Sequence, residues 1–198
     1  MNDLLKMIMS QLGDDTVDTM SQQVQADKSS TQKAIQTAIP ILVNALARNS
    51  STSEGANSLL NALNKDHDGS ILDNLSGYLT NPEAANGSGI LKHVLGNNQS
   101  KVENYLSKTS GISLSSAGNL LKTLAPIIMG FLGKQNTTFG SGGGIIDILQ
   151  SVLGKGQSSS TQKDQLIFNQ LLDQDNDGSI TDDLLGMGTS IFKKFFKK

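Results

Sequence analysis

The hydrophobic residues of this chain recur at the three- and four-residue spacing of amphipathic helices. Residues 2–12 carry leucine and isoleucine at this spacing, which predicts a short first helix that ends at Gly13. Val17, Met20 and Val24 follow at similar spacing within a polar segment and predict one narrow apolar stripe. The opening of the chain is therefore predicted to be helical.

A strongly apolar helix is predicted over residues 34–46, opened by Ser29 and Ser30. Apolar residues surround its second half, which is typical of a buried central element. Pro40 lies inside this helix and removes one backbone hydrogen bond, so it should kink the helix or begin a new one. A further helix is predicted over residues 55–63, and the fold class that follows is an all-α helical bundle.

The second part of the chain repeats the pattern of the first. The segment from residue 29 to Pro40 is echoed by residues 115–126, which again end on proline, at an offset of 86 residues. A second pair of matching segments, described next, is offset by 109 residues, so the second copy carries 23 extra residues. The sequence therefore predicts two pseudo-repeated halves, 1–85 and 86–198, with a Gly/Ser-rich insertion at about 134–160.

Two acidic stretches, residues 64–75 and 173–184, place oxygen-bearing side chains at alternate positions before a glycine. This is the front half of a calcium loop of EF-hand type, in which positions 1, 3, 5 and 7 supply oxygen ligands and glycine at position 6 makes the sharp turn. We therefore predict Ca²⁺ as the bound cofactor. The predicted metal ligands are Asn64, Asp66, Asp68, Ser70 and Asp73 in the first stretch and Asp173, Asp175, Asp177, Ser179 and Asp182 in the second.

Both stretches depart from the EF-hand pattern at position 12, where Leu75 and Leu184 replace the bidentate glutamate. An acid at position 10 could close a more compact loop, which resembles short bacterial calcium loops of the excalibur kind. Alternatively, Ser70 and Asp73 fit a capping box, so a turn and a helix cap would explain part of the pattern without metal. That alternative leaves crowded carboxylates without a counterion, which favours the metal, and both interpretations can hold together.

Composition excludes several other kinds of chemistry. The 198 residues carry a net charge of −2, which excludes a nucleic-acid surface driven by bulk positive charge. Cysteine is absent, so thiol nucleophiles and thiolate metal sites are excluded. His67 stands at a non-ligand loop position and is expected to be solvated, while His93 has no ligand partner at suitable spacing. The sequence thus predicts no enzyme activity and identifies no small-molecule substrate.

The two ends of the chain bear on its surroundings. The N-terminus has neither the charge nor the apolar run of a secretory signal, and no stretch approaches the roughly 20 apolar residues of a membrane span, so we expect a cytoplasmic protein. Residues 190–198 place apolar side chains on one helical face and four lysines on the other. This face could pack on the bundle or contact an anionic membrane or partner surface. Its apolar residues are Ile191, Phe192, Phe195 and Phe196.

Two functions follow from these features. The first is a non-enzymatic calcium-binding helical interaction or scaffold protein, with a protein partner or self-association. The alternative is a membrane-surface or partner-docking protein that acts through residues 190–198, in which the acidic stretches are only turn and cap elements.

The chain also resembles the YidB-like family of bacterial proteins, a family built on domain of unknown function 937. The resemblance rests on Leu12-Gly13 after the first helix, on the core helix that runs into Pro40-Ile41, and on the Gly-rich turn before Ile90-Leu-Lys-His-Val-Leu-Gly96. It implies an all-helical bundle and no established activity. The calcium prediction depends on the acidic stretches themselves and not on this resemblance.

Overall fold

Helices and short turns make up the part of the chain that the structure describes, and no described residue forms a β-strand. This computed structural model describes residues 2–139 together with Gly144, Asp147 and Leu149. The chain divides into two compact units, Met1–Ser159 and Ser160–Lys198, and all described residues belong to the first. The acidic stretch 173–184 and residues 190–198 lie outside the described residues. The predicted boundary between residues 85 and 86 stays a prediction.

The described elements confirm the prediction of an all-α helical bundle. In chain order they are α1 (Asn2–Gln23), α2 (Lys28–Asn49), α3 (Ser53–Lys65), α4 (Ser70–Asp73), α5 (Leu75–Thr80), a 3₁₀ turn (Pro82–Ala85), α6 (Gly87–Leu95), a second 3₁₀ turn (Gly96–Asn98), α7 (Gln99–Ser110) and α8 (Leu114–Phe139).

The first helix breaks where the sequence predicts. Gly13 has φ 68° and ψ 169°, which is not helical, so α1 consists of two helical segments that meet at this residue. A glycine accepts this positive φ without the steric cost that a Cβ would bring. Val17, Met20 and Val24 are all buried, which confirms the predicted apolar stripe on the second segment.

Two long helices, α2 and α8, form the centre of the bundle. Helix α2 packs against α1, α7 and α8, while α8 also packs against α3, α4 and α6. Pro40 and Pro126 are each the thirteenth residue of their helix, and both helices continue past the proline. Of the two outcomes expected at Pro40, a kink or the start of a new helix, the second is therefore wrong, because burial of the residues on both sides keeps one continuous helix in place.

The N-terminal caps of the two central helices also correspond. Oδ1 of Asp27 accepts a hydrogen bond from the Ser30 N–H (2.8 Å), and Oγ of Ser113 accepts one from the Ser116 N–H (3.0 Å). Each cap satisfies a backbone donor that has no partner within the helix. The prediction that Ser29 and Ser30 open α2 is thus close, but the helix begins at Lys28 and its cap is Asp27.

The length and hydropathy of the described helices decide whether any of them could cross a bilayer. No single helix there has the length and hydropathy to span a bilayer. Gly87–Ser110 and Leu114–Thr137 satisfy those two criteria only as a pair bent by 111°. The apolar residues of these helices form much of the buried core, which is the ordinary location of such segments in a helical bundle.

Candidate functional site

The first acidic stretch links α3 to α4 and lies against α8. Asp66 is the C-cap of α3, with its N–H donating to the Ala62 carbonyl. Gly69 follows with φ 102° and ψ −6°, a left-handed conformation that a residue with a Cβ resists. Helix α4 then begins at Ser70. The predicted helix, loop and helix are therefore present, with glycine making the turn at the sixth position of the loop.

Glycines on α8 let this loop approach the helix backbone. A Cβ on Gly133 would lie 2.8 Å from the carbonyl carbon of His67 and closer still to its oxygen. A Cβ on Gly130 would overlap the Cγ2 atom of Ile71, the eighth loop residue. Ile71 thus ties the loop to the bundle. The signal for this docking was present in the sequence as two glycines three residues apart in an apolar helix.

Three of the oxygen-bearing side chains of the loop contact three different neighbours. Oδ1 of Asn64 accepts a hydrogen bond from Nδ2 of Asn136 (3.1 Å), and Oδ1 of Asp68 accepts one from the Ser70 N–H (3.0 Å). Asp73 forms an ion pair with Lys134. These contacts tie the loop to α8 at one end and stabilise its own turn at the other.

Consequently the predicted ligands are close in sequence but do not converge on one point. No group of three or more His, Cys, Asp or Glu side chains within the described ranges is placed to hold a metal ion. Asp66, Asp68 and Asp73 are exposed, which lets their carboxylates stay apart and solvated. The predicted ligands of the second stretch, from Asp173 to Asp182, lie outside the described residues.

The structure does not show the capping box that Ser70 and Asp73 could form at the first stretch. Gly69 is the N-cap of α4 and offers no side-chain hydrogen bond, while the Asp73 carboxylate pairs with Lys134 (2.9 Å). Asp68 stabilises the turn before α4 instead, because its carboxylate accepts the hydrogen bond from the Ser70 N–H. The hydrogen bond from the Ser70 N–H, followed by that from its hydroxyl, holds the pKa of Asp68 below its usual range. A short turn of this type is common where aspartate precedes glycine.

His67 departs from its expected exposure. Its side chain is half-buried, and burial lowers the pKa of the imidazole despite the opposing charges of Asp66 and Asp68. The prediction of a solvated histidine is therefore wrong. Its burial depends on the close approach of the loop to Gly133, which no local pattern around residue 67 reveals.

Two clefts flank this histidine. One, of about 750 Å³, is lined by Asp66, Asp68 and Tyr78 among others. The other, of about 520 Å³, is lined by both histidines of the chain, His67 and His93, together with apolar residues of the core. His93 is exposed at the surface, but sequence spacing alone could not show that the two histidines share a cleft.

The carboxamide of Asn136 is the least satisfied polar group beside the loop. Asn136 is only 2% exposed, and its Oδ1 has no hydrogen-bond partner among the described residues, although its Nδ2 donates to Asn64. Leaving a buried acceptor unpaired costs about 1–3 kcal/mol. Sequence reasoning missed this residue, since an asparagine near the end of an apolar helix carries no distinctive motif.

The described residues thus define an all-α bundle in which an acidic helix-linking loop is docked on the central helix α8. The family model described as "Bacterial protein of unknown function (DUF937)" matches residues 6–135, which is more than half of the chain. The chain belongs to this family, and the predicted family resemblance is confirmed. No curated protein and no solved structure gives a significant match to the chain.

Proposed function

We propose that this chain is a non-enzymatic helical interaction protein that binds Ca²⁺ through its first acidic loop. The observation that supports the proposal most is the exposure of Asp66, Asp68 and Asp73 around a left-handed glycine turn. Such a loop can close on a hard cation, because carboxylate and carbonyl oxygens are the ligands that Ca²⁺ prefers. Asn64 and Ser70 complete the proposed ligand set, with Ser70 contributing its carbonyl.

Ion binding in this proposal requires the loop side chains to converge, because they lie apart in this structure. Asp73 must leave Lys134, and both side chains of that pair are largely exposed, with relative exposures of 69% and 48%. An exposed ion pair contributes only about 0–1 kcal/mol, so a divalent ion can replace it. Because position 12 offers no carboxylate, we expect a modest affinity, with Kd about 10⁻⁴ to 10⁻³ M.

The bound ion would stabilise the fold and its docking surface. Neutralised carboxylates would fix the angle between α3 and α4, and the loop lies directly on α8. Binding at one hundred times Kd would add about 2.7 kcal/mol to the free energy of unfolding. The ion would thereby stabilise the surface that a protein partner or a second copy of the chain contacts.

Calorimetric titration of chelator-treated full-length protein with Ca²⁺ tests the proposal. The second acidic stretch is first silenced by Asp175→Asn and Asp177→Asn, so that heat reports on the first loop. In this parent protein we expect saturable heat at millimolar ion and a rise in melting temperature. Absence of both would end the calcium proposal for the first loop.

Charge-matched variants show whether the ion binds where we propose. Asp66→Asn with Asp68→Asn should abolish the heat, because these two residues contribute the central ligands. The control pair Asp14→Asn and Asp15→Asn removes the same charge from exposed positions on α1 and should bind as the parent does. Tb³⁺ emission excited through Tyr78, which lines the cleft beside Asp66 and Asp68, offers a second readout. Equal loss of binding in both pairs would point to diffuse charge attraction instead of a site.

A further inference from the structure

The side-chain nitrogen of the buried residue Asn136 is directed at the start of the acidic loop. Its Nδ2 donates to Oδ1 of Asn64, the first residue of the alternating set, at 3.1 Å. Its Oδ1 is buried without a partner among the described residues. Exchanging the side-chain oxygen and nitrogen of both Asn64 and Asn136 would keep one hydrogen bond between the two residues. It would place Nδ2 of Asn136, instead of Oδ1, in the position without a partner. The pair alone therefore satisfies only one of the two polar atoms of Asn136.

An unpaired buried oxygen calls for a bound water or ion as its partner. Here the oxygen belongs to a residue on α8 that already contacts a proposed calcium ligand, and the loop lacks a ligand at position 12, where Leu75 stands. A side-chain amide oxygen is an ordinary calcium ligand. A neighbouring helix can thus supply the oxygen that the loop itself does not.

We propose that Oδ1 of Asn136 is a calcium ligand that α8 contributes to the first acidic loop. This inference rests on the proposed calcium function and adds a residue outside the loop to its ligand set. The ion would then connect the loop to the central helix, because its ligands would come from both. Docking of the loop on α8 and ion binding would then stabilise each other.

Two substitutions at Asn136 should move calcium affinity in opposite directions. In the parent protein with the second stretch silenced, Asn136→Asp supplies a charged oxygen and should bind Ca²⁺ roughly tenfold more tightly, whereas Asn136→Leu should bind roughly tenfold more weakly. The matched control Thr137→Asp places the same charge on the exposed neighbouring residue of α8. It should change the affinity much less, because its carboxylate does not replace the Asn136 oxygen.

Calorimetry of these four proteins decides between the outcomes. Tighter binding by Asn136→Asp than by Thr137→Asp supports the proposal, even if Asn136→Leu fails to fold by circular dichroism. If Asn136→Asp binds no more tightly than Thr137→Asp while the parent binds Ca²⁺, Asn136 is not a ligand and a water satisfies its oxygen; the calcium function then stands. If the parent itself does not bind Ca²⁺, the proposed function fails and this inference fails with it.

Discussion

Replacing Gly133 by alanine should separate the acidic loop from α8. The added Cβ would lie 2.8 Å from the carbonyl carbon of His67 and 3.3 Å from that of Asp68. Both neighbours are backbone atoms, so neither can turn away as the end of a side chain would. Since Cβ atoms essentially never approach other heavy atoms closer than 3.0 Å, the whole turn must move away from the helix.

The energy balance favours destabilisation. Alanine is better than glycine inside a helix by about 1 kcal/mol, while overpacking against a rigid neighbour costs about 1–3 kcal/mol. The clash here involves backbone on both sides, so we take the upper end of that range. The expected net effect of Gly133→Ala is a loss of about 2 kcal/mol in the free energy of unfolding.

A matched control exists on the same helix. A Cβ on Gly118 would meet only the carboxylate of Glu103, at 3.3 Å, and a flexible side chain can yield by that amount. Gly118→Ala should therefore be neutral or stabilising by up to about 1 kcal/mol. A Cβ on Gly130 would meet the side chain of Ile71, so Gly130→Ala should fall between the two.

Urea denaturation followed by far-ultraviolet circular dichroism measures all three variants. The reasoning predicts the order of stability Gly118→Ala, then Gly130→Ala, then Gly133→Ala as the least stable. Equal stability of Gly133→Ala and Gly118→Ala would refute the docking of the loop on α8. It would also remove the structural basis for a ligand on α8.

Two further predictions concern charges around the loop. Burial lowers the pKa of His67 in the folded state below its ordinary value of 6.5, so the unfolded chain binds the proton first as the pH falls. The stability that follows is fully present above pH 6.5 and declines as the pH falls from there toward the folded pKa. Melting curves between pH 7 and 5.5 should show this decline in stability. The decline should be smaller in His67→Gln and unchanged in the exposed control His93→Gln. If His67→Gln shows the full decline, another group causes it. Lys134→Met should raise calcium affinity about fivefold, because it removes a cation beside Asp73. The free energy of unfolding should change by less than about 1 kcal/mol. If calorimetry shows an unchanged calcium affinity, Asp73 is not a ligand.

Much of the fold is encoded locally and could be predicted. The helical spacing of Val17, Met20 and Val24 needs only the neighbouring residues to be recognised, and Gly13 breaks α1 through its own backbone freedom. The long apolar run around Pro40 likewise identifies a buried helix, although packing overrides the break that proline favours.

The candidate site depends on contacts that are distant in sequence, which explains what prediction missed. Asp73 pairs with Lys134 and Asn64 with Asn136 across 61 and 72 residues, respectively. The capping-box alternative failed for this reason, since a local pattern for Asp73 cannot anticipate a lysine from another helix. The half-buried state of His67 has the same origin.

About two turns of α8 therefore determine what the acidic loop can do. Gly133 admits the loop backbone and Gly130 admits the side chain of Ile71. Lys134 and Asn136 reach loop side chains from the same stretch of helix. Lys134 already supplies a cation to Asp73, whereas Oδ1 of Asn136 lacks a donor. In the proposed complex, a divalent ion would displace Lys134 from Asp73 and would give Oδ1 of Asn136 a partner. The affinity of the loop for calcium should thus depend on α8 as much as on the loop's own carboxylates.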